Sequence, residues 1–296
     1  MPRGLSKTRR TGSTACGAAV LLLAFVASAG TAQAGDADDL VSRINAFRAA
    51  PVGRCASERA VPAGPLAPSA ALAQVGDVTT AGGLDQALRA TGYRAAVAAT
   101  IVISGPSQVA DVARVVEQSY CANALDPRFA EIGVARSGTT WRVNLARPLL
   151  PNDLPEWREA GRAVLALVNE ARRQPRRCGT RRFAAAGPLA WNDTLAESSL
   201  AHSTDMARRG YFDHADPAGN RVAERATRSG YRWRVIGENI AAGMGSSEQV
   251  VAGWLASPGH CANIMAPEFA EMGAGYATEA QSPMGIYWTQ VFGKRS

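Results

Sequence analysis

Lysine is nearly missing from this chain: Lys7 and Lys294 are the only two among 296 residues, so arginine carries the positive charge. Aromatic residues are sparse at 6%. No apolar run is long enough to cross a bilayer of about 30 Å as a helix. Histidine is scarcer still, with three residues, His202, His214 and His260, all in the C-terminal third. Neither His-Glu-x-x-His nor Gly-x-Ser-x-Gly occurs, so the short zinc-protease helix and the nucleophile elbow of the α/β-hydrolases are both excluded. Also missing is the basic patch with interleaved aromatics that a nucleic-acid partner requires. Of the formal net charge of +7, Arg3, Lys7, Arg9 and Arg10 supply +4 before the first acidic residue, Asp36, which leaves only +3.

The remaining composition, 47% hydrophobic and 19% charged, is that of a globular chain long enough for two modest domains. Residues 1–34 read as an export signal: a basic stretch to Arg10, an apolar run from Ala18 to Ala29, then the small-x-small pattern Ala32-Gln33-Ala34. The Arg9-Arg10 pair hints at twin-arginine export but lacks apolar residues directly after it, and Cys16 precedes the apolar run, the wrong side for a lipid-anchored cysteine. A mature chain beginning near Gly35 is expected to be secreted or extracytoplasmic, with no transmembrane segment after cleavage.

Comparing the two halves exposes a repeat. Asn45, Arg48, Pro51, Cys55 and Gly64-Pro65-Leu66-Ala67 recur as Asn169, Arg172, Pro175, Cys178 and Gly187-Pro188-Leu189-Ala190. Further on, Gly92-Tyr93-Arg94 matches Gly230-Tyr231-Arg232, and Cys121-Ala122-Asn123 with Phe129-Ala130-Glu131 matches Cys261-Ala262-Asn263 with Phe269-Ala270-Glu271. Residue types recurring in order at a slowly drifting offset indicate tandem duplication. Four cysteines in an exported chain favour disulfides. Of the three pairings possible, the repeat favours Cys55 with Cys121 and Cys178 with Cys261, one bridge per copy. The Pro-rich segment 148–155 separates residues 35–152 from 156–296. The first copy lacks histidine: His260 aligns with Tyr120, and Glu238 with Ala99 or Thr100.

In the second copy, helical spacing over 159–174 stops before Pro175, and Leu195, Ser199, His202 and Met206 mark a buried stripe over 192–209. Ser246-Ser247-Glu248-Gln249 is a capping-box pattern before Val250 and Trp254, with Ser257-Pro258-Gly259 closing that helix and leaving His260 just past its end. Residues 272–277 and 286–292 read as strands. Without βαβ alternation, this mixture predicts an α+β fold with helices covering an antiparallel sheet.

Read in order, His202 and Asp205-Met206, Tyr211-Phe212-Asp213-His214, Gly237-Glu238-Asn239-Ile240, Trp254 through Ser257-Pro258-Gly259-His260 and Tyr287-Trp288-Thr289-Gln290 closely resemble a bacterial CAP domain. That superfamily includes the cysteine-rich secretory proteins, insect venom antigen 5 and plant pathogenesis-related 1. The resemblance spans residues 160–293 and implies an α-β-α sandwich, preceded here by a degenerate CAP-like copy. It also implies a cleft holding histidines and glutamates, able in some members to hold a divalent metal. The matching cleft positions are His214, Glu238 and His260. Two positions depart from the eukaryotic pattern: Tyr287 stands where a second histidine is expected, and Ser257 roughly where a glutamate is, so His260 stands in for the missing imidazole.

Imidazole and carboxylate are ligands that zinc accepts, so His214, Glu238 and His260 could form a weak three-ligand divalent site with an open fourth position. A hydrogen-bonded polar cluster fixing the loops is the competing reading. Asn239, Ser257 and Tyr287 join these three as candidate ligand-binding residues. His202, alone on a buried helical stripe, is more often a satisfied core residue. The arginines 172, 173, 176, 177, 181 and 182 around Cys178 could attract anionic polymer or lipid headgroups but read more simply as a solvated loop. Trp191, Trp254 and Trp288 read as core packing. Two function classes remain: a non-enzymatic extracellular module binding a lipid, cell-wall fragment or protein, and an extracytoplasmic hydrolase, metal-dependent or built on Ser257, His260 and Glu238. The lack of a recognisable nucleophile favours the binding module.

Overall fold

The structure is a computed structural model that describes Met1 and residues 29–52, 63–76 and 81–296. Most of the expected export signal, and Cys55, lie outside the described residues.

The first half runs α1 (Ala29–Ala49), β1 (Ala67–Pro68), α2 (Ala70–Ala73), α3 (Ala81–Ala90), β2 (Ala95–Ser104), α4 (Val109–Ser119), α5 (Cys121–Ala124), β3 (Glu131–Ser137) and β4 (Thr140–Pro148). The second runs α6 (Trp157–Arg172), β5 (Arg176–Cys178), β6 (Arg181–Phe183), β7 (Ala190–Trp191), α7 (Asp193–Arg209), α8 (Val222–Arg228), β8 (Trp233–Ala242), α9 (Ser247–Ala256), α10 (Pro258–Met265), β9 (Glu271–Thr278) and β10 (Ile286–Arg295). Each half builds a four-stranded sheet, in the orders β1-β3-β4-β2 and β7-β9-β10-β8. In both, the short outer strand pairs parallel and the other pairings are antiparallel.

Strand alternation makes the second half an α-β-α sandwich. On β9, Gly273 and Gly275 face α7, where a Cβ on Gly273 would stand 2.0 Å from the Ala196 nitrogen. Met272 and Ala274 point the other way, into a core shared with Val164 and Val168 of α6 and Trp254 of α9. Gly133 of β3 repeats the close approach, 2.2 Å from the Ala73 nitrogen, but here the helix across the glycine is the four-residue α2 instead of the 17-residue α7. Among the described residues the first half has no counterpart of the long helix and the loop after it, which in the second half carry His202 and His214.

Local chemistry explains the element ends. Asn192 caps α7 by accepting from Leu195 N at 3.1 Å, and Gly210, at φ +67°, closes it. Ser246 accepts from Gln249 N at 3.3 Å, whereas the Gln249 amide turns back to Gly245 N at 2.8 Å, one residue before the cap. Two expectations need correction. Pro258 does not simply end α9; it occupies the first turn of α10, where its missing N–H costs nothing, and His260 lies inside that helix. Glu238 lies on a strand, β8, that apolar patterning does not predict, because its Gly237-Glu238-Asn239 segment interrupts the apolar pattern.

Two buried arginines hold the loops by the same device. Arg172 donates from Nε to the Gly187 carbonyl at 2.7 Å and from Nη1 to those of Ile264 and Ala266 at 2.6 and 2.8 Å. Arg48 donates to the carbonyls of Gly64 at 2.7 Å, Phe129 at 3.1 Å and Ala124. Asn45 and Asn169 likewise each exchange two hydrogen bonds with the backbone of Leu66 and Leu189. Arg172, expected in a solvated cluster, is therefore a core residue, because a guanidinium can satisfy several otherwise orphaned carbonyls at once.

Cys178 and Cys261 form a disulfide with a Cα–Cα separation of 5.5 Å, tying β5 to α10 across 83 residues. Loop-closure entropy makes such a bridge worth about 4 kcal/mol. Cys121 is also disulfide-bonded, to a partner outside the described residues. The halves share packing: Ala67 and Ala130 sit in the second half's core, Ala256 packs against the first half's core, and Arg147 donates to the Pro283 carbonyl at 2.6 Å. Among the described residues, no helix is long and apolar enough to cross a membrane.

Candidate functional site

The site lies along the seam between the halves. A cavity of about 360 Å³ is lined on one side by Phe212, His214, Ile240, Ser257 and His260, and on the other by Arg48, Pro51, Ala63, Gly64 and Pro65. Its volume is within the ordinary range for small-molecule sites.

Alternation on β8 sends Glu238 and Ile240 to one face and Asn239 to the other. Glu238, with 2% of its side chain exposed, accepts from His214 Nδ1 at 2.8 Å and is paired through Oε2 with Arg225 Nη2. Arg225 reaches it from α8 and also donates from Nη1 to the carbonyls of His214 at 2.8 Å and Asn220 at 2.7 Å. With Nδ1 committed to the carboxylate, His214 leaves Nε2 for the cavity; its side chain is 45% exposed.

His260 lines the same side of the cavity as His214, its Nδ1 2.8 Å from Ser257 Oγ. Burial, and then the neighbouring His214, push its imidazole down to about 3, so it is neutral at physiological pH. Ser257 is buried. Glu238, held by His214 and Arg225, makes no hydrogen bond to His260, so the Ser257-His260-Glu238 triad is not assembled.

The remaining candidates have other duties. Asn239 is fully buried and donates to Gln290 Oε1 at 3.1 Å and the His260 carbonyl at 3.3 Å, while its own Oδ1 accepts from Asn263 at 3.0 Å. It braces α10 against β8 and does not line the cavity. Tyr287 is also fully buried, packed with Met206, Phe212 and Ile240. His202 Nε2 donates to the Asp213 carbonyl at 3.0 Å, while burial lowers its basicity and keeps it neutral. It therefore positions the Phe212–His214 segment from beneath. Trp254 and Trp288 are core residues, whereas Trp191 is half-buried under the Arg162 guanidinium, 5.0 Å from the ring centre.

The expected three-ligand metal set does not fit this arrangement. Among the described residues no group of three His, Cys, Asp or Glu side chains is placed to hold a metal ion. Glu238 already has a cation on one oxygen and an imidazole donor on the other. Sequence reading missed Arg225 and the whole wall supplied by the first half. Arg225 had a usable signal: at the offset of 138 residues that matches Gly230 to Gly92, its counterpart is Ala87.

Residues 165–292 match the model of the cysteine-rich secretory protein (CAP) family. That segment is a CAP domain. The uncharacterized protein YkwD of Bacillus subtilis (strain 168) is 38% identical over 105 residues, covering 36% of this chain and 39% of YkwD. The uncharacterized membrane protein YlbC of the same organism is 30% identical over 107 residues, covering 36% of this chain and 29% of YlbC. The match thus spans well under half of either relative. Among solved structures, an extracellular protein containing an SCP domain from Bacillus anthracis str. Ames aligns at 23% identity with a TM-score of 0.40, covering 53% of this chain and 52% of that one. An outer surface protein from Borrelia burgdorferi aligns at 18% identity with a TM-score of 0.39, covering 46% of this chain and 92% of its own.

Proposed function

We propose that the protein is an exported, non-enzymatic binding module. Its CAP domain, backed by a degenerate CAP-like copy over residues 35–152, holds a small ligand in the seam cavity. The observation carrying this reading is the cavity itself: His214, Ser257 and His260 supply polar groups on one side and Arg48 on the other, while Phe212, Ile240, Pro51, Ala63 and Pro65 supply apolar walls. Two enclosing walls suit a small lipid or wall fragment better than a protein surface. Export rests on the leader pattern of residues 1–34. The first buried side chain described in α1 is Leu40, so cleavage near Gly35 leaves the described core untouched. The shared sheet order and the repeated Asn and Arg devices support descent of the first half from a second CAP copy.

The hydrolase reading is disfavoured because the one serine–histidine pair lacks a carboxylate partner. Native mass spectrometry of the exported protein, compared with Ala49→Trp, tests the binding reading. Ala49 is an exposed wall residue of the first half, so the indole should fill the cavity without entering the core. A retained small molecule should be present in the wild type and lost in the variant. A molecule retained equally by both would place the ligand elsewhere, and hydrolytic turnover abolished by Ser257→Ala would overturn the non-enzymatic reading.

A further inference from the structure

We propose that Arg225 takes the place of a metal ion at the cleft carboxylate, so that Glu238 is a charge-paired anchor for His214 instead of a metal ligand. Glu238 and Arg225 are both withdrawn from solvent, with 2% and 9% of their side chains exposed. A carboxylate buried this deeply requires a compensating positive charge. In a metal-binding cleft a dication supplies it; here the guanidinium does.

The guanidinium is also fixed in position. Its Nη1 binds two carbonyls of the loop that carries His214, and that loop is braced by Asp216, which accepts from Ala218 N at 3.0 Å and from Asn220 N at 2.9 Å. Arg225 therefore cannot withdraw to admit a cation without freeing the His214 and Asn220 carbonyls. A dication approaching Glu238 would meet a neutralised carboxylate and a fixed like charge in contact with it.

The first half supplies an independent observation. In its sheet, Thr100 pairs with Asn144, itself opposite Gly133; in the second sheet, Glu238 pairs with Val291, opposite Gly273. Since Gly133 and Gly273 are equivalent, Thr100 occupies the place of Glu238. Arg225 has Ala87 as its counterpart at the same offset of 138 residues. The acid and its cation are therefore missing together, as expected if each is needed only because of the other.

This inference concerns the same cleft as the proposed function but not its ligand: a metal-free cleft could bind a small molecule or none. Calorimetric titration of zinc into full-length wild type, Glu238→Gln, Arg225→Lys, Arg225→Met and the Arg225→Met/Glu238→Gln double variant tests it. Wild type, Glu238→Gln and Arg225→Lys should give the same response to zinc. Arg225→Met should gain a stoichiometric site roughly a hundredfold or more tighter, because the like charge is gone, and the double variant should lose it. A wild-type zinc site weakened by Glu238→Gln would overturn the proposal, as would a folded Arg225→Met that gains no site. If Arg225→Met does not fold, the wild-type and Glu238→Gln comparison decides alone.

Discussion

Glu131 and Glu271 occupy the same place in the two sheets, yet their surroundings treat charge in opposite ways. Glu271 is raised by burial, but hydrogen bonds from Tyr231 at 2.6 Å and Asn192 at 3.0 Å, with Arg295 at 3.3 Å, outweigh that and hold its carboxyl below the usual range. At Glu131 burial dominates and raises its carboxyl, although Tyr93, the counterpart of Tyr231, and Ser69, which stands where Asn192 does, act to lower it. The halves share residues that satisfy the backbone and differ in those that manage charge. Backbone carbonyls must be paired in any copy that folds, whereas a compensated carboxylate is needed only where function or solvent demands it.

The strongest way to break this comparison is through the paired arginines. Arg48→Leu and Arg172→Leu should each cost on the order of 4 kcal/mol, since each strands several buried carbonyls. Urea unfolding should show two similar losses, and a near-neutral Arg48→Leu would deny the first half its equivalence. A smaller effect is expected at the seam. Gly243 sits at φ +85° and a Cβ there would lie 2.7 Å from that of Ala130, so Gly243→Ala should cost about 2 kcal/mol through backbone strain and overpacking. Thermal melting should show the whole transition moving, and a shift confined to a second-half signal would argue against a shared core.

The smallest effect separates the two glutamates by sign. Glu131, raised in the fold, contributes stability below its unfolded value, about 4.3, that is lost as pH rises through the folded value. Glu271, lowered in the fold, contributes stability above the unfolded value that is lost as pH falls through the folded one. At pH 7, Glu131→Gln should therefore stabilise and Glu271→Gln destabilise, with the difference shrinking toward pH 4. Denaturant midpoints across pH read both, and effects of equal sign would remove the electrostatic distinction.

Three helices of the second half, α6, α7 and α9, and its last two strands were legible because apolar spacing and caps are local signals, whereas the short α8 and α10 were not. The position of Glu238 was legible from its motif, but its strand was not, since β8 is specified by pairing with β10 more than by its own pattern. Among candidate site residues, His214, Ser257 and His260 reach the cavity, while Asn239 and Tyr287 do not. For Asn239 the reason is period-two alternation: one residue from Glu238 on a strand is the opposite face. Arg225 escaped notice because an arginine on a short helix looks like surface until a buried carboxylate is found beneath it. Nothing local could reveal that Pro51 and Pro65 would face His214 across a seam.

Ala67 and Ala130 lie in the second half's core and belong to the first half's chain. Neither half can come apart without exposing apolar surface of the other, so the unit that melts is larger than either half. Cooperativity here spans both halves, and the half without histidine has a purchase on the site through free energy as well as through its wall.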